Sequence, residues 1–271
     1  MRRLLTLLAV LGLSACVSQG TAPTPVADRA ATAPLSNQSA SFPARPAPPP
    51  SRPNAQMVQD FRDLAFQMES GRALPVLTRF EGPSSVYLAP GAPMSLSRDL
   101  DAVLDRLRRE AAINIGRTAQ SGAAITIETL PRARLQRIVP QAACFVVPRV
   151  SSWAEFRRAR TTGALDWTTL TERERVAIFI PNDVAPQEMR DCLHEELGQA
   201  IGPLNDLYRL PDSVFNDDNF HAVLTGFDML ILRAYYDPSL QSGMSEAQVM
   251  AAMPAIFSRL NPRGRRGAAI T

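Results

Sequence analysis

Nine of the 23 prolines fall between Val17 and Ala55, three of them consecutive at Pro48–Pro50, with Ala, Ser and Thr between. A stretch of that kind buries too little apolar surface to offset the entropy of ordering it. It reads as an extended, partly polyproline linker over 16–55, so any fold must be built from the residues C-terminal to it. The folded domain is expected over 56–260, with a disordered tail over 261–271. The chain as a whole is 45% hydrophobic and 20% charged, which excludes a wholly disordered chain, a coiled-coil rod and a collagen-like fibre.

The segment preceding the linker is an address. Residues 1–15 begin Met1-Arg2-Arg3, run through an apolar stretch too short to span a bilayer, and end Leu13-Ser14-Ala15 before Cys16. The pattern resembles a bacterial lipobox, which implies cleavage before Cys16 and lipidation of its thiol. Acyl chains there would hold the protein to a membrane by buried methylenes. Val17 follows the cysteine; other lipoproteins retained at the inner membrane often carry Asp at that place, so the periplasmic side of the outer membrane is the expected location. Net charge is +3 with two arginines in the leader, leaving a mature chain near +1. That balance argues against nucleic acid as a partner. All 29 basic residues are arginine, which excludes Schiff-base and P-loop lysine chemistry.

Periodicity assigns the elements. Met57, Val58, Phe61, Leu64, Ala65 and Met68 recur at helical spacing over 56–69. Short strands are expected at Leu77–Phe80 and Val86–Leu88. Ser97 is positioned to cap a helix over 98–115 whose stripe is Leu100, Val103, Leu104, Leu107, Ala111 and Ile115. Strands follow at Ala124–Leu130, Cys144–Pro148 and Val176–Ile180, then a helix over 184–202 capped by Asn182 or Asp183. Thr225-x-x-Asp228 and Ser245-x-x-Gln248 are capping boxes for two last helices, the first over 226–236. The class is α+β.

With Cys16 taken by lipid, Cys144 and Cys192 remain. In an exported protein they are expected to form one disulfide, the alternative being two separate buried thiols.

One helix carries candidate chemistry. On the helix that carries Asp191–Asp206 and the residues just before it, Met189, Cys192, Leu193, Leu197, Ala200 and Ile201 form an apolar stripe. Glu196 falls inside it, and Glu195 and Gln199 share its border four residues apart. A carboxylate inside an apolar stripe is costly unless paired or protonated. Such a group suits general acid or base catalysis; equally, it suits a buried carboxylate satisfied by an arginine or the backbone. His194 lies on the other border as a supporting group.

The same segment resembles the metzincin metallopeptidase motif His-Glu-x-x-His-x-x-Gly-x-x-His. Aligned on the glycine it reads Glu195-Glu196-x-x-Gln199-x-x-Gly202-x-x-Asn205, with the three histidines replaced and Glu196 in the place of the general base. Ser213-Val214-Phe215-Asn216 is similar to the turn beneath the metzincin metal, and Leu224-Thr225-x-x-Asp228 leading to Tyr235-Tyr236 is similar to the last metzincin helix. The resemblance implies a zincin-like fold. It also implies a site in which Glu195, Glu196, Gln199, Asn205 and the Ser213–Asp217 turn meet, with Gly202 in a left-handed turn and Phe215 as an apolar floor. The chain is similar, over most of residues 56–245, to a family of proteobacterial lipoproteins numbered 2927 among the domains of unknown function. That likeness rests on Phe61-x-x-Leu-Ala-Phe66 with Glu69, Arg79-Phe80-x-x-Pro83, Cys144, Cys192-x-x-Glu-Glu-x-x-Gln199, Gly202-x-x-Asn-Asp206, Phe215-Asn216-Asp217-Asp218 and Tyr236-Asp-Pro238 with Gly243-Met244.

Two functions are therefore expected to compete. One is a non-catalytic module that keeps a peptidase-like scaffold and binds an envelope protein or a peptidoglycan strand. The other is a divergent metal-dependent peptidase or peptidoglycan hydrolase with Glu196 as base. Its metal would sit on Glu195, Gln199 and Asn205, helped by His194, Asp206 or Asp217; such oxygen donors suit Ca, Mg or Mn better than Zn.

Overall fold

The computed structural model describes residues 52–216 and 218–264. The leader, Cys16, nearly all of the linker, Asp217 and most of the tail lie outside the described residues. No helix among the described residues is long and apolar enough to cross a membrane.

Among the described residues, seven α-helices and five strands follow in the order α1 (Asn54–Ala65), β1 (Ser84–Leu88), α2 (Met94–Glu110), β2 (Ile115–Thr118), β3 (Ile125–Leu130), α3 (Arg132–Gln136), β4 (Phe145–Pro148), α4 (Trp153–Ala159), β5 (Val176–Pro181), α5 (Pro186–Ile201), α6 (Gly226–Tyr235) and α7 (Glu246–Leu260). The α+β class is observed. The sheet order is β2-β1-β3-β5-β4, with β4 antiparallel to β5 and the other neighbours parallel. Every residue of β4 and β5 is buried, as expected where a sheet is covered on both faces. Val86, Ile125, Ile127, Val146, Val176, Ile178 and Ile180 belong to the large core that includes α2 and α5. Phe145, Val147, Ala177 and Phe179 belong to a second core with Leu135, Trp153 and Phe156 of α3 and α4.

Several boundaries differ from the sequence expectation. α1 ends at Ala65, and Gln67 and Met68 form isolated bridges to Ala73 and Leu204. Leu77–Phe80 is not a strand; Leu77 exchanges backbone bonds with Gly243 and Met244. α2 starts at Met94 after Pro93, so Ser97 is inside the first turn and its hydroxyl receives Arg117 instead. The helix stops at Glu110 because Ala112 takes a left-handed φ of 57°, and Ile115 opens β2. α5 starts at Pro186 without a side-chain cap, and Asp183 accepts from the Arg132 amide. The Thr225 and Ser245 capping boxes are both formed.

Cys144 and Cys192 form a disulfide, with Cα atoms 5.9 Å apart and a sequence separation of 48. It ties the residue entering β4 to the second turn of α5. Closing a loop of that length is worth about 4 kcal/mol in the chain-entropy account. A Cys144→Ala/Cys192→Ala double variant is expected to lose about 2–4 kcal/mol of unfolding free energy, read from urea midpoints. In the parent protein both thiols should resist alkylation in denaturant until reductant is added; alkylation without reductant would show that no bridge exists.

Candidate functional site

α5 is amphipathic in sequence but almost wholly buried in place, from Cys192 to Ile201. It packs against α2, β4 and β5. Its polar residues are therefore enclosed: Glu196 and Gln199 are fully buried, and Glu195 and His194 nearly so. Buried polar groups require partners, and those partners define the site.

Gln199 reaches the turn after α1, where its Nε2 donates to Glu69 Oε1 at 3.1 Å. Its Oε1 is buried without a hydrogen-bond partner among the described residues. Asn205 turns to the end of α1, its Nδ2 donating to the Asp63 carbonyl at 2.9 Å. Gln199 and Asn205 thus both point toward the 63–69 segment, yet no hydrogen bond joins them. Asp206 is half-buried in the following loop.

Gly202 ends α5 as expected, but not in a left-handed conformation: its φ is −152°. The glycine is needed for a different reason. A Cβ there would lie 2.8 Å from Leu232 Cδ2, so the missing side chain lets α6 approach the helix end. Gly198 has the same role a turn earlier, where a Cβ would lie 2.8 Å from Cζ of Phe215. The Ser213–Asn216 turn therefore does meet α5, and its buried Phe215 ring rests on Gly198, beside Glu195 and Gln199 in the helix.

The turn is locked from below by Asp228. This carboxylate completes the Thr225 capping box and also accepts from Ser213 Oγ at 2.6 Å, from the Val214 amide at 3.1 Å and from the Thr225 amide at 2.7 Å. Burial pushes its pKa up, against the pull of those donors. His194 fastens the segment before α6: its Nδ1 accepts from the Leu224 amide at 3.1 Å. Burial, then the charges of Arg106 and Arg190, hold its pKa down to about 3. His194 is a neutral structural acceptor, with its proton on Nε2.

Asn205 donates its Nδ2 to α1 and Gln199 its Nε2 to Glu69, so the side-chain oxygens are the atoms these two residues could offer a cation, while His194 directs Nδ1 at a backbone amide. No group of three His, Cys, Asp or Glu side chains among the described residues is arranged to hold a metal. Asp217, the remaining expected helper, lies outside the described residues.

A family model described as a protein of unknown function, DUF2927, matches residues 54–255. The chain belongs to this family. No curated protein and no solved structure matches it. The DUF2927 match runs from the first residue of α1 into α7, so it covers the whole sheet, α5 and the turn. Three groups that build the site in this DUF2927 domain are not assigned that role by sequence reasoning: Glu69, Asp228 in its reach to the turn, and Arg173. Buried Arg173 donates to the Gln199 and Gly202 carbonyls at the C-terminus of α5. Glu69 and Asp228 lie inside recognisable motifs; Arg173 sits in the acid-rich run Glu172-Arg173-Glu174, where nothing distinguishes it from a surface charge.

The contact between Gly198 and Phe215 can be tested by filling it. The Gly198→Ala change should gain helix propensity but drive its methyl into Phe215, for a net loss of about 1 kcal/mol. Adding Phe215→Leu should recover most of that loss in urea unfolding; no recovery would mean the ring does not rest on Gly198. The folded protein keeps His194 neutral down to about pH 3, whereas the unfolded chain protonates near pH ~6.5. Between those values the unfolded state binds the extra proton, so stability falls as pH falls. His194→Gln should reduce the drop in unfolding free energy between about pH 7 and pH 5 by about 2 kcal/mol.

Proposed function

We propose that the protein is a lipid-anchored envelope lipoprotein whose zincin-like domain is a non-catalytic binding module for an envelope protein or a peptidoglycan strand. The carrying observation is the replacement of the three metzincin histidines by Glu195, Gln199 and Asn205, two of which are neutral amides oriented by the scaffold through Glu69 and Asp63. Catalytic zinc is held by His, Cys or carboxylate ligands, and neutral amides are poor replacements for imidazole. The order of elements supports the zincin reading, with the long helix α2 between β1 and β2, then β3 to β5, then α5, the turn and α6. The leader and Cys16 support the anchor. Exposed aromatics on the loop between α5 and α6, Tyr208 at 77% and Phe220 at 72%, supply contact surface beside the turn, and aromatic side chains of this kind are enriched at recognition surfaces.

Metal analysis of the full chain purified without added metal should give well under one equivalent. No hydrolysis of casein or of cross-linked muropeptides should depend on Glu196. A photo-crosslinker at Tyr208 should give one discrete envelope product or bind purified sacculi, unchanged by Glu196→Gln. Stoichiometric tight metal together with turnover lost in Glu196→Gln would overturn this reading in favour of a hydrolase. Cys16→Ser should release the protein from outer-membrane fractions, and full retention would remove the anchor.

A further inference from the structure

Residues 131–160 hold seven arginines and one carboxylate, Glu155, in a chain whose net charge is only +3. They form the layer in which α3 and α4 cover one face of the sheet. Leu135, Trp153 and Phe156 turn inward onto Phe145 and Phe179, which leaves the arginines of both helices outside. Arg134, Arg137, Arg157 and Arg158 are exposed and Arg160 is half-exposed. The two helices share one surface, since the Arg134 guanidinium lies 6.0 Å from the centroid of Trp153 at the start of α4.

Neutralisation does not reach these five. Arg132 pairs with Glu188, and Glu155 is taken by Arg175. Glu128 accepts from the Trp153 amide. Arg149 is held by Thr169 beside Glu172 and Glu174. Arg134, Arg137, Arg157, Arg158 and Arg160 have no ion pair among the described residues. Other arginines of the domain do pair with carboxylates, as in Arg106–Glu110, Arg117–Asp101 and Arg190–Asp99.

We propose that the α3–α4 layer docks the domain on a surface of anionic phospholipid. Five arginines spread over two helices match many phosphates in a plane, and guanidinium binds phosphate well. The choice of a membrane rests on the lipid-anchor reading. On that reading the 35 residues from Val17 to Ser51 would act as a tether, and a coil of that length spans roughly 30 Å, against a domain radius of gyration of about 17 Å. Any face can therefore reach the bilayer, and tethering raises its local concentration.

Vesicle flotation of the full chain tests this, with and without Cys16→Ser, on phosphatidylcholine alone and with phosphatidylglycerol added. Each adjacent arginine multiplies partitioning roughly fivefold. Phosphatidylglycerol should therefore raise binding at least about tenfold in both proteins and lose that effect in high salt. Glutamine at all five positions should abolish the increment while the thermal transition is kept. Lysine at all five should preserve it, and glutamine at Arg98, Arg109 and Arg233 should leave it in place. An increment unchanged in the five-glutamine protein, or absent in the parent, overturns the proposal. So does retention on duplex DNA without preference for phosphatidylglycerol. Binding to phosphatidylcholine that survives Cys16→Ser counts against the anchor alone, since the increment is read separately.

Discussion

The interaction on which the site depends is a buried guanidinium at the end of α5. Arg173 is 1% exposed and forks between the carbonyls of Gln199 and Gly202, with Trp167 5.0 Å from its guanidinium carbon. Burial lowers its pKa, yet an arginine stays charged in a protein, so this is a cation set against the negative end of a helix dipole. Tyr236 donates to the Ile201 carbonyl between those two. A second arginine repeats the device next door. Arg79 donates to the carbonyls of Tyr235, Asp237 and Leu240 after α6, and its own carbonyl accepts from the Arg173 amide. Two helix ends thus meet over two linked arginines. An ammonium group could not fork planar across two carbonyls in this way, so these two positions draw structural use from a chain without lysine.

That clamp explains how so polar a helix can be interior. α5 buries Glu195, Glu196, Gln199 and His194 against the core, where an unsatisfied group would cost of order 1–3 kcal/mol even when neutral. The surrounding segments answer Gln199 with Glu69 and His194 with the Leu224 amide. These contacts fasten the turn after α1 and the segment before α6 to one helix.

Much of this is legible in the primary structure. The capping boxes at Thr225 and Ser245 are visible because a hydroxyl and its partner three residues on satisfy orphan amides reciprocally. The disulfide is visible because an exported chain leaves two cysteines. The contact of Phe215 with α5 is visible through the likeness of its turn to the metzincin one. The failures have local causes. Sequence periodicity merges β2 into α2 because Ile115 continues its apolar stripe, while the break is an alanine at φ 57° where glycine would have signalled it. α4 goes undetected although Ser152 caps it through the Glu155 amide, and α3 is only five residues long. The partner of Asn205 is not foreseeable from spacing: its amide donates to the α1 carbonyl of Asp63, 142 residues away in sequence.

So distant a partner also sets the limits of the domain. Both amides of the positions that match metzincin ligands are received by residues 63–69, so the α1 end of the chain is a wall of the site rather than an extension of the linker. α1 in turn packs on α7, with Phe61 ringed by Tyr235 at 5.5 Å and Phe257 at 6.4 Å. Beyond α7, Asn261 donates to the Arg52 carbonyl and to Asn54. The two ends of the described chain therefore clasp each other and close the site between them. A segment from β1 to α6 would keep the sheet and the disulfide but leave Gln199 and Asn205 buried with no acceptors. The sheet supplies the frame, α5 carries the site and α1 supplies its acceptors, and the family match spans all three.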